Sequence, residues 1–397
     1  MKTQFFTGIS THKDSYEAGV EVATQVVGGI NSPATGLLIL FCSPQYDYPS
    51  LIRGIHTILP SSISLIGCTA AGQFTEKSIN KEGVACAFIT SDDHQFFCGL
   101  GTKLRDYPLQ TIKHATTTFP QQIENDLHQS AILLIDGLAG KGEEAVLAAS
   151  SVLGPHIVFM GGAAADHLDF KKTSVFCNEK VSTDAVSICL IASKKPIVIS
   201  VHHGHHPISD ALLITKASEN ILYELDGKPA LSVWKNVLRD RLKQQNIDID
   251  ALSIEELSKI LLKYEAGLMT GNEYKIRFPS SCNADGSLNF TCSMMEGSVI
   301  KIMSSEKEDQ IISSRRAAEI ALSAVPKGTK IAGAIIFDCA CRAMILKDEF
   351  SKAIEASREV LGKIPFIGCE TYGEIAMNAG QLSGFHNTST AIMLLPA

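Results

Sequence analysis

The sequence predicts an α/β protein: two tandem domains of mixed β-sheets flanked by helices, built from repeated strand–helix–strand–strand units. Three observations carry this reading. Continuous apolar runs of strand length alternate with helical patterns, as buried parallel strands with helical crossovers do. Three segments repeat one grammar of apolar run, helix and second apolar run. A Gly-Cys pair also recurs at the end of such a run. It appears in S-L-I-G-C-T-A-A-G-Q-F (Ser64–Phe74) and in K-I-P-F-I-G-C-E-T-Y-G-E (Lys363–Glu374), each time followed by three residues and then another glycine.

The first unit reads as a strand over Gly36–Ser43, a helix near Ser50–Ile58 and a strand over Ser64–Cys68. The second has Ala131–Leu138, a helix over Gly142–Leu153 and His156–Ala163. The third has Ala332–Ala340, a helix near Lys347–Leu361 and Pro365–Cys369. A run ending in one more strand follows each unit: Gly83–Thr90, Asp184–Ala192 and Thr390–Pro396. Between the second and third units, strands are expected at Ile197–His203, Tyr274–Phe278, Ser287–Cys292 and Ser298–Met303. Asn283-Ala284-Asp285-Gly286 has the composition of a hairpin turn. Helices are expected at Ala230–Gln245 and Ser253–Tyr264, the latter opening on a capping box of Ser253 and Glu256. The stretch Asn220–Pro229 lacks a core pattern and carries a Gly and a Pro. It divides the chain at about residue 223, into domains 1–222 and 223–397, which pack closely because no low-complexity linker joins them.

Composition excludes several classes. At 397 residues, 45% hydrophobic and 19% charged, the chain is a well-cored protein and not a disordered one. A net charge of −7 gives no electrostatic footprint for nucleic acid or an anionic membrane. Met1–Phe6 holds one lysine and no long apolar run, so no signal peptide is expected. The longest apolar runs are strand-sized, against the ~20 residues that span a bilayer. A cytoplasmic protein without a membrane span is the expectation. Eleven cysteines, an odd count without a Cys-x-x-Cys pair, fit neither a disulfide framework nor a zinc module. Cys86, Cys98, Cys189 and Cys292 sit in apolar strands and read as core residues; Cys339 and Cys341 form the one close pair.

Two clusters are candidates for chemistry. The run His202-His203-Gly204-His205-His206-Pro207 follows a strand, and imidazole is a common metal and haem-iron ligand. His202 and His203 should point to opposite faces of the strand, leaving His205 and His206 freer to face a pocket. The alternative is a solvated strand end. The second cluster gathers Asp338, Cys339 and Arg342 with Cys369, Glu370, Tyr372 and Glu374 at the ends of neighbouring strands, where open α/β sheets bind ligands. Arg342 is suited to hold a carboxylate through two parallel hydrogen bonds. In the competing reading Arg342 and Glu374 pair with each other or with Asp338, and the cysteines fill the core. Common catalytic templates are absent: no G-x-S-x-G, no P-loop, no H-E-x-x-H and no G-x-G-x-x-G. Gly161-Gly162 is a weak phosphate signal, since no cation follows it. A cysteine-dependent enzyme would use Cys339 or Cys369 with His386 as base.

The motifs I-G-C-T-A-A-G-Q, M-G-G-A-A-A-D-H-L-D-F-K-K-T-S-V-F and L-D-G-K-P-A-L resemble the N-terminal half of FIST (F-box and intracellular signal transduction) proteins. F-D-C-A-C-R, G-C-E-T-Y-G-E-I and G-F-H-N-T-S-T-A resemble the C-terminal half, the last adding His386 and Asn387 to the candidate ligand residues. The resemblance runs nearly end to end. It implies a non-enzymatic small-ligand sensor whose output passes through a partner, a histidine kinase or a cyclic-di-GMP enzyme. Some stand-alone family members are haem proteins that sense nitric oxide, so haem b is the implied cofactor. His205, where the family pattern has an aromatic residue, is then the candidate iron ligand, with His203 and His206 beside it. The iron-free alternative is a sensor of an amino acid or another small metabolite.

Overall fold

A computed structural model describes residues 3–28, 36–124, 127–271 and 273–397; Met1 and Lys2 of the chain start lie outside these. The helices are α1 (Ser15–Val27), α2 (Tyr48–Ile58), α3 (Pro108–Ala115), α4 (Gly142–Leu153), α5 (Ala230–Gln244), α6 (Ile254–Leu261), α7 (Lys307–Ser323), α8 (Ala340–Leu346) and α9 (Phe350–Leu361).

The repeated grammar corresponds to three six-stranded mixed sheets. Each has a parallel pair at its centre: Leu37–Cys42 with Ser64–Thr69, His128–Asp136 with Val158–Ala164, and Ile331–Cys339 with Phe366–Thr371. These strands are buried on both faces, so they read as unbroken apolar runs. One flank of each sheet carries two antiparallel strands: Val84–Thr90 and Gln4–Ser10, Ala185–Ser193 and His94–Thr102, Ser389–Pro396 and Val198–His203.

The other flank is supplied by a different unit. The hairpin after the first parallel pair (Gln73–Thr75, Ile79–Asn80) joins the third sheet. The hairpin after the second (Val175–Cys177, Lys180–Ser182) joins the first, and the hairpin after the third (Glu374–Met377, Phe385–His386) joins the second. The exchange is cyclic. It explains the recurring glycine. Gly67, Gly161 and Gly368 occupy one equivalent position, opposite Phe176, Ile375 and Phe74 of the incoming hairpins. A Cβ at Gly368 would strike the Phe74 ring, and one at Gly67 would lie 2.7 Å from Phe176. The Gly-Cys pairs are therefore not strand-end turns. They lie inside strands, where only a missing side chain lets the hairpin seat.

The inner faces of the three sheets share one core, in which Phe41 meets Phe337 edge-to-face at 5.7 Å and Cys68, Leu134 and Cys369 pack beside them. Helices cover the outer faces: α1 and α2, α3 and α4, and α7 and α9. Residues 206–304 form a separate module of nine short strands packed with α5 and α6 around Trp234, whose Nε1 donates to the Tyr264 carbonyl at 3.0 Å. The module interrupts the third unit between Val198–His203 and α7. Residue 223 lies within the strand Ile221–Leu225, and several sheet pairings join residues on either side of it, among them Gln73 with Cys369, Glu374 with Gly162 and Val198 with Leu394.

Candidate ligand-binding site

The Asp338–Arg342 cluster is internal. Asp338 ends a central strand and Arg342 sits one turn on in α8, both wholly buried, with Arg342 Nε donating to Asp338 Oδ1 at 2.8 Å. Arg342 Nη1 donates to Gln310 Oε1 (2.8 Å) and Ser313 Oγ (2.6 Å), and Nη2 to the Gln310 carbonyl (3.0 Å) and Ser314 Oγ. All five guanidinium donors are engaged, so Arg342 has none for a ligand carboxylate. Burial pushes the Asp338 carboxyl up, while Arg342 and Thr390 pull it back down. Glu374 pairs with neither group: it accepts from Thr371 Oγ1 (2.9 Å) and from Ser389 N (3.1 Å) and Oγ (2.8 Å), and burial raises its carboxyl far above the ordinary range. Glu370 is pushed up to about 8, first by burial and then by Asp338, and its carboxyl lies against Gly72 of the crossing hairpin.

The two candidate nucleophiles, Cys339 and Cys369, offer no thiolate. Cys339 and Cys369 are buried, and burial raises both thiols far above their ordinary value, with Cys341 and Cys68 respectively adding to the effect. His386 is held down at about 3, chiefly by burial, and its Nε2 bonds the Ala376 carbonyl at 3.1 Å. Gly161-Gly162 lies within a strand, paired with Ile375 and Glu374, and forms no phosphate turn.

The histidine turn differs from its expected geometry. His202 and His203 do not diverge. Their rings stack at 6.0 Å, and together with His386 they line a cleft of about 370 Å³ at the end of the strand Val198–His203. His203 has both nitrogens engaged, Nε2 with the Tyr274 carbonyl (3.0 Å) and Nδ1 accepting from His205 N (3.2 Å). The His205 side chain is sealed, neither nitrogen is hydrogen-bonded, and its nearest charged group is Glu265 at 3.6 Å. His206 is at the surface beside Asp309 at 3.2 Å. An axial haem ligand needs an imidazole nitrogen opening onto an apolar slot. His203, His205 and His206 do not fit that requirement. Among the described residues no group of three or more His, Cys, Asp or Glu side chains is arranged to hold a metal ion.

A cavity of about 670 Å³ lies where the carboxyl end of the second unit meets the 206–304 module and α8. One wall is the loop Asp136-Gly137-Leu138-Ala139-Gly140-Lys141 leading into α4. Asp136 shapes this loop by accepting from Leu138 N at 3.0 Å, from Thr173 Oγ1 and from Asp184 N. A second wall is Tyr372, whose ring stacks on Phe170 at 4.9 Å and whose hydroxyl donates to Asp166. Burial opposes it, yet that hydroxyl and the N–H groups of Lys171, Lys172 and Phe170 hold the Asp166 carboxyl below its ordinary value. Phe278, Ser281, Phe290 and Thr291 close the module side, with Cys341 and Met344 from α8.

Asn387 reaches this cavity from the strand-end segment after Phe385–His386. Its Oδ1 accepts from Phe278 N (3.3 Å) and Thr291 Oγ1 (3.2 Å), and no protein acceptor takes its Nδ2 among the described residues. Of the ligand residues read from the sequence, Tyr372 and Asn387 line the cavity. Asp338, Cys339, Arg342, Cys369, Glu370, Glu374 and His386 do not. Lys141, Phe170, Phe278 and Phe290 were not singled out. G-L-A-G-K-G after the strand Ala131–Leu138 is the signal that points to the first of them.

The FIST N domain profile matches residues 36–228 and the FIST C domain profile residues 230–377. The chain belongs to the FIST family. FIST domains are small-ligand sensors of signal transduction. An uncharacterised protein of Methanocaldococcus jannaschii is 23% identical over 310 residues, 75% of this FIST chain and 59% of that relative's own length. The FIST chain therefore spans less than two thirds of the relative. Among solved structures, cyanuric acid hydrolase from A. caulinodans aligns over 100% of both chains at 8% identity with a TM-score of 0.36. A second structure of cyanuric acid hydrolase aligns over 100% of both chains at 10% identity with a TM-score of 0.32. Likeness at this level carries no argument about activity. No helix among the described residues is long and apolar enough to cross a membrane.

Proposed function

We propose that this FIST protein is an iron-free sensor of a small metabolite, that the metabolite seats in the 670 Å³ cavity, and that occupancy is passed to a separate signalling partner. The observation that carries the reading is the origin of the walls. They come from the second unit, the inserted module and α8, so a ligand there touches three parts of the fold at once. Ligand sites favour such junctions, and a ligand that binds one relative arrangement better shifts the population toward it. The partner class is the one the family suggests, a histidine kinase or a cyclic-di-GMP enzyme, in the cytoplasm. No catalytic step is part of this function.

The test is a thermal-shift screen of the purified chain against a metabolite panel, repeated on Ser281→Trp, which fills the cavity. A true ligand raises the midpoint with concentration as binding linkage requires, and Ser281→Trp abolishes the shift. A shift unchanged in Ser281→Trp would sink the assignment. The haem version, with nitric oxide as the sensed gas, draws on the family resemblance and on a histidine turn whose nitrogens are sealed, engaged or at the surface. A Soret band in haem-reconstituted protein that is lost in His205→Ala would restore it in place of the iron-free reading.

A further inference from the structure

We infer that the cavity selects a molecule with a flat apolar body and one terminal acidic group, and that the acidic group seats between Asn387 and the start of α4. The inference rests on the cavity being the ligand site. It begins with the donors. The first backbone bond of α4 runs from Ala145 N to the Lys141 carbonyl at 2.9 Å, which leaves the N–H groups of Gly142, Glu143 and Glu144 without an intrahelical acceptor. Lys141 at the N-cap makes no side-chain cap bond. Gly140 takes a φ of 70°, and a Cβ there would meet nothing within 4 Å, so the loop presents open backbone beside the cavity. Unsatisfied donors and the positive end of the helix dipole favour an anion.

Asn387 is the independent observation. It is only 1% exposed, yet Nδ2 has no protein partner among the described residues. The protein engages its oxygen from the Phe278, Thr291 and Cys292 side, at 3.3, 3.2 and 3.7 Å, which fixes the amide and leaves only its donor end for a ligand. Nδ2 is not one of the sealed atoms that lack a partner; it keeps access to the cavity that Asn387 lines, where it can donate to a ligand acceptor. Asn387 and the α4 terminus belong to one patch. The Phe385 ring lies against Gly142, and Arg277 donates both to the Phe385 carbonyl (2.7 Å) and to Glu143 (3.0 Å).

Acidic side chains nearby do not cancel this. Glu143 is held by Arg277 and Gly384 N, and Glu144 by Ser293 Oγ at 2.8 Å with Lys141 at 3.7 Å; neither lines the cavity. Of the carboxylates that do line it, Asp136 is occupied by three donors and Glu255 by Lys259 at 2.8 Å. Five aromatic side chains are part of the lining, Phe170 and Tyr372 from outside the module, Phe278 and Phe290 from within it, and Phe385, alongside aliphatic residues such as Leu138 and Met344. Ring faces of this kind stack on a flat apolar body.

The test uses two dyes of one shape, 1-anilinonaphthalene-8-sulfonate and its neutral counterpart N-phenyl-1-naphthylamine, titrated into the full chain by fluorescence and calorimetry. The decisive variant is Asn387→Asp, which keeps an oxygen for Phe278 N and Thr291 but replaces the free donor with negative charge. The sulfonate dye should bind once per chain and weaken about tenfold or more in Asn387→Asp, as loss of a charge-assisted bond implies. The neutral dye should be unaffected. Lys141→Met should weaken the sulfonate dye alone, and it serves as the test if Asn387→Asp fails to fold. If both dyes bind alike and neither variant separates them, the acidic-group selection is overturned while the cavity reading stands. If neither dye binds once per chain, or Ser281→Trp leaves binding unchanged, the cavity reading falls and the inference with it.

Discussion

Arg342 and Asp338 form a wholly buried ion pair one helical turn apart, at 2.8 Å, and the remaining guanidinium donors go to the polar inner face of α7. A strand end, α8 and α7 are thereby locked together. Arg342→Met removes the cation and leaves Asp338 buried with Thr390 as its remaining donor. Breaking one side of a buried pair costs about 3–5 kcal/mol. Urea unfolding of Arg342→Met should show a loss of that size with an unchanged slope. A loss under about 1 kcal/mol would show the pair to be dispensable.

Glu370 gives the fold a pH dependence of definite sign. Its carboxyl is raised from 4.5 to about 8 in the folded chain, first by burial and then by Asp338. The folded state therefore holds a proton that the unfolded state has released. The contribution to stability is complete below about 4.5 and is lost as pH rises through about 8. Glu370→Gln, which mimics the protonated form, should flatten that part of the stability–pH curve and be more stable than the parent at pH 8. The parent slope it removes is at most about 1.4 kcal/mol per pH unit. Parallel curves for the two proteins would refute the assignment.

The exchanged hairpins depend on a bare backbone at three equivalent positions. Gly368→Ala places a Cβ into the Phe74 ring and toward the Ile336 carbonyl. Overpacking of this kind costs about 1–3 kcal/mol. The melting temperature should fall, and adding Phe74→Leu should recover part of the loss. Full stability in Gly368→Ala alone would mean that the hairpin seats elsewhere.

Cysteine labelling reads the cavity directly. Among the eleven thiols, Cys98 and Cys341 are partly exposed and the others are buried, and Cys341 also lines the cavity. A maleimide at neutral pH should modify Cys341 first and Cys98 after it, because the hydrogen bond with Cys189 and burial push the Cys98 thiol up, and an occupied cavity should protect Cys341 but not Cys98. Mass mapping that finds Cys339 or Cys369 labelled ahead of them would contradict the buried placement and reopen the nucleophile reading.

Parts of this architecture were legible residue by residue. The strand Leu37–Cys42 and its equivalents announce themselves because burial on both faces demands an unbroken apolar run. The capping box at Ser253 and Glu256 forms as its spacing requires. α7 escaped notice for a physical reason. Its inner face is Gln310, Ser313, Ser314, Ala317, Ala318 and Ala321, polar where it serves Arg342 and small where it packs, so no apolar stripe marks it. α8 leaves no helical signal of its own, since seven residues carry too little periodicity. At the site, Tyr372 and Asn387 are legible as polar residues near strand ends, whereas Phe278 and Phe290 look like ordinary core positions of the module until it packs against the second unit to form the cavity.

Composition, periodicity and motif order were enough to establish a mixed α/β chain of three repeated units and its FIST membership, because burial and turn chemistry act over a few neighbouring residues. Which strands pair was a different matter. Gln73 meets Cys369 and Glu374 meets Gly162 across most of the chain's length, and nothing local to either segment encodes its partner. The same holds for Arg342, whose guanidinium suits a ligand carboxylate as well as it suits an internal strut. Folding decided between them by bringing Asp338 and α7 around it, and by leaving the unpartnered donor on Asn387 instead.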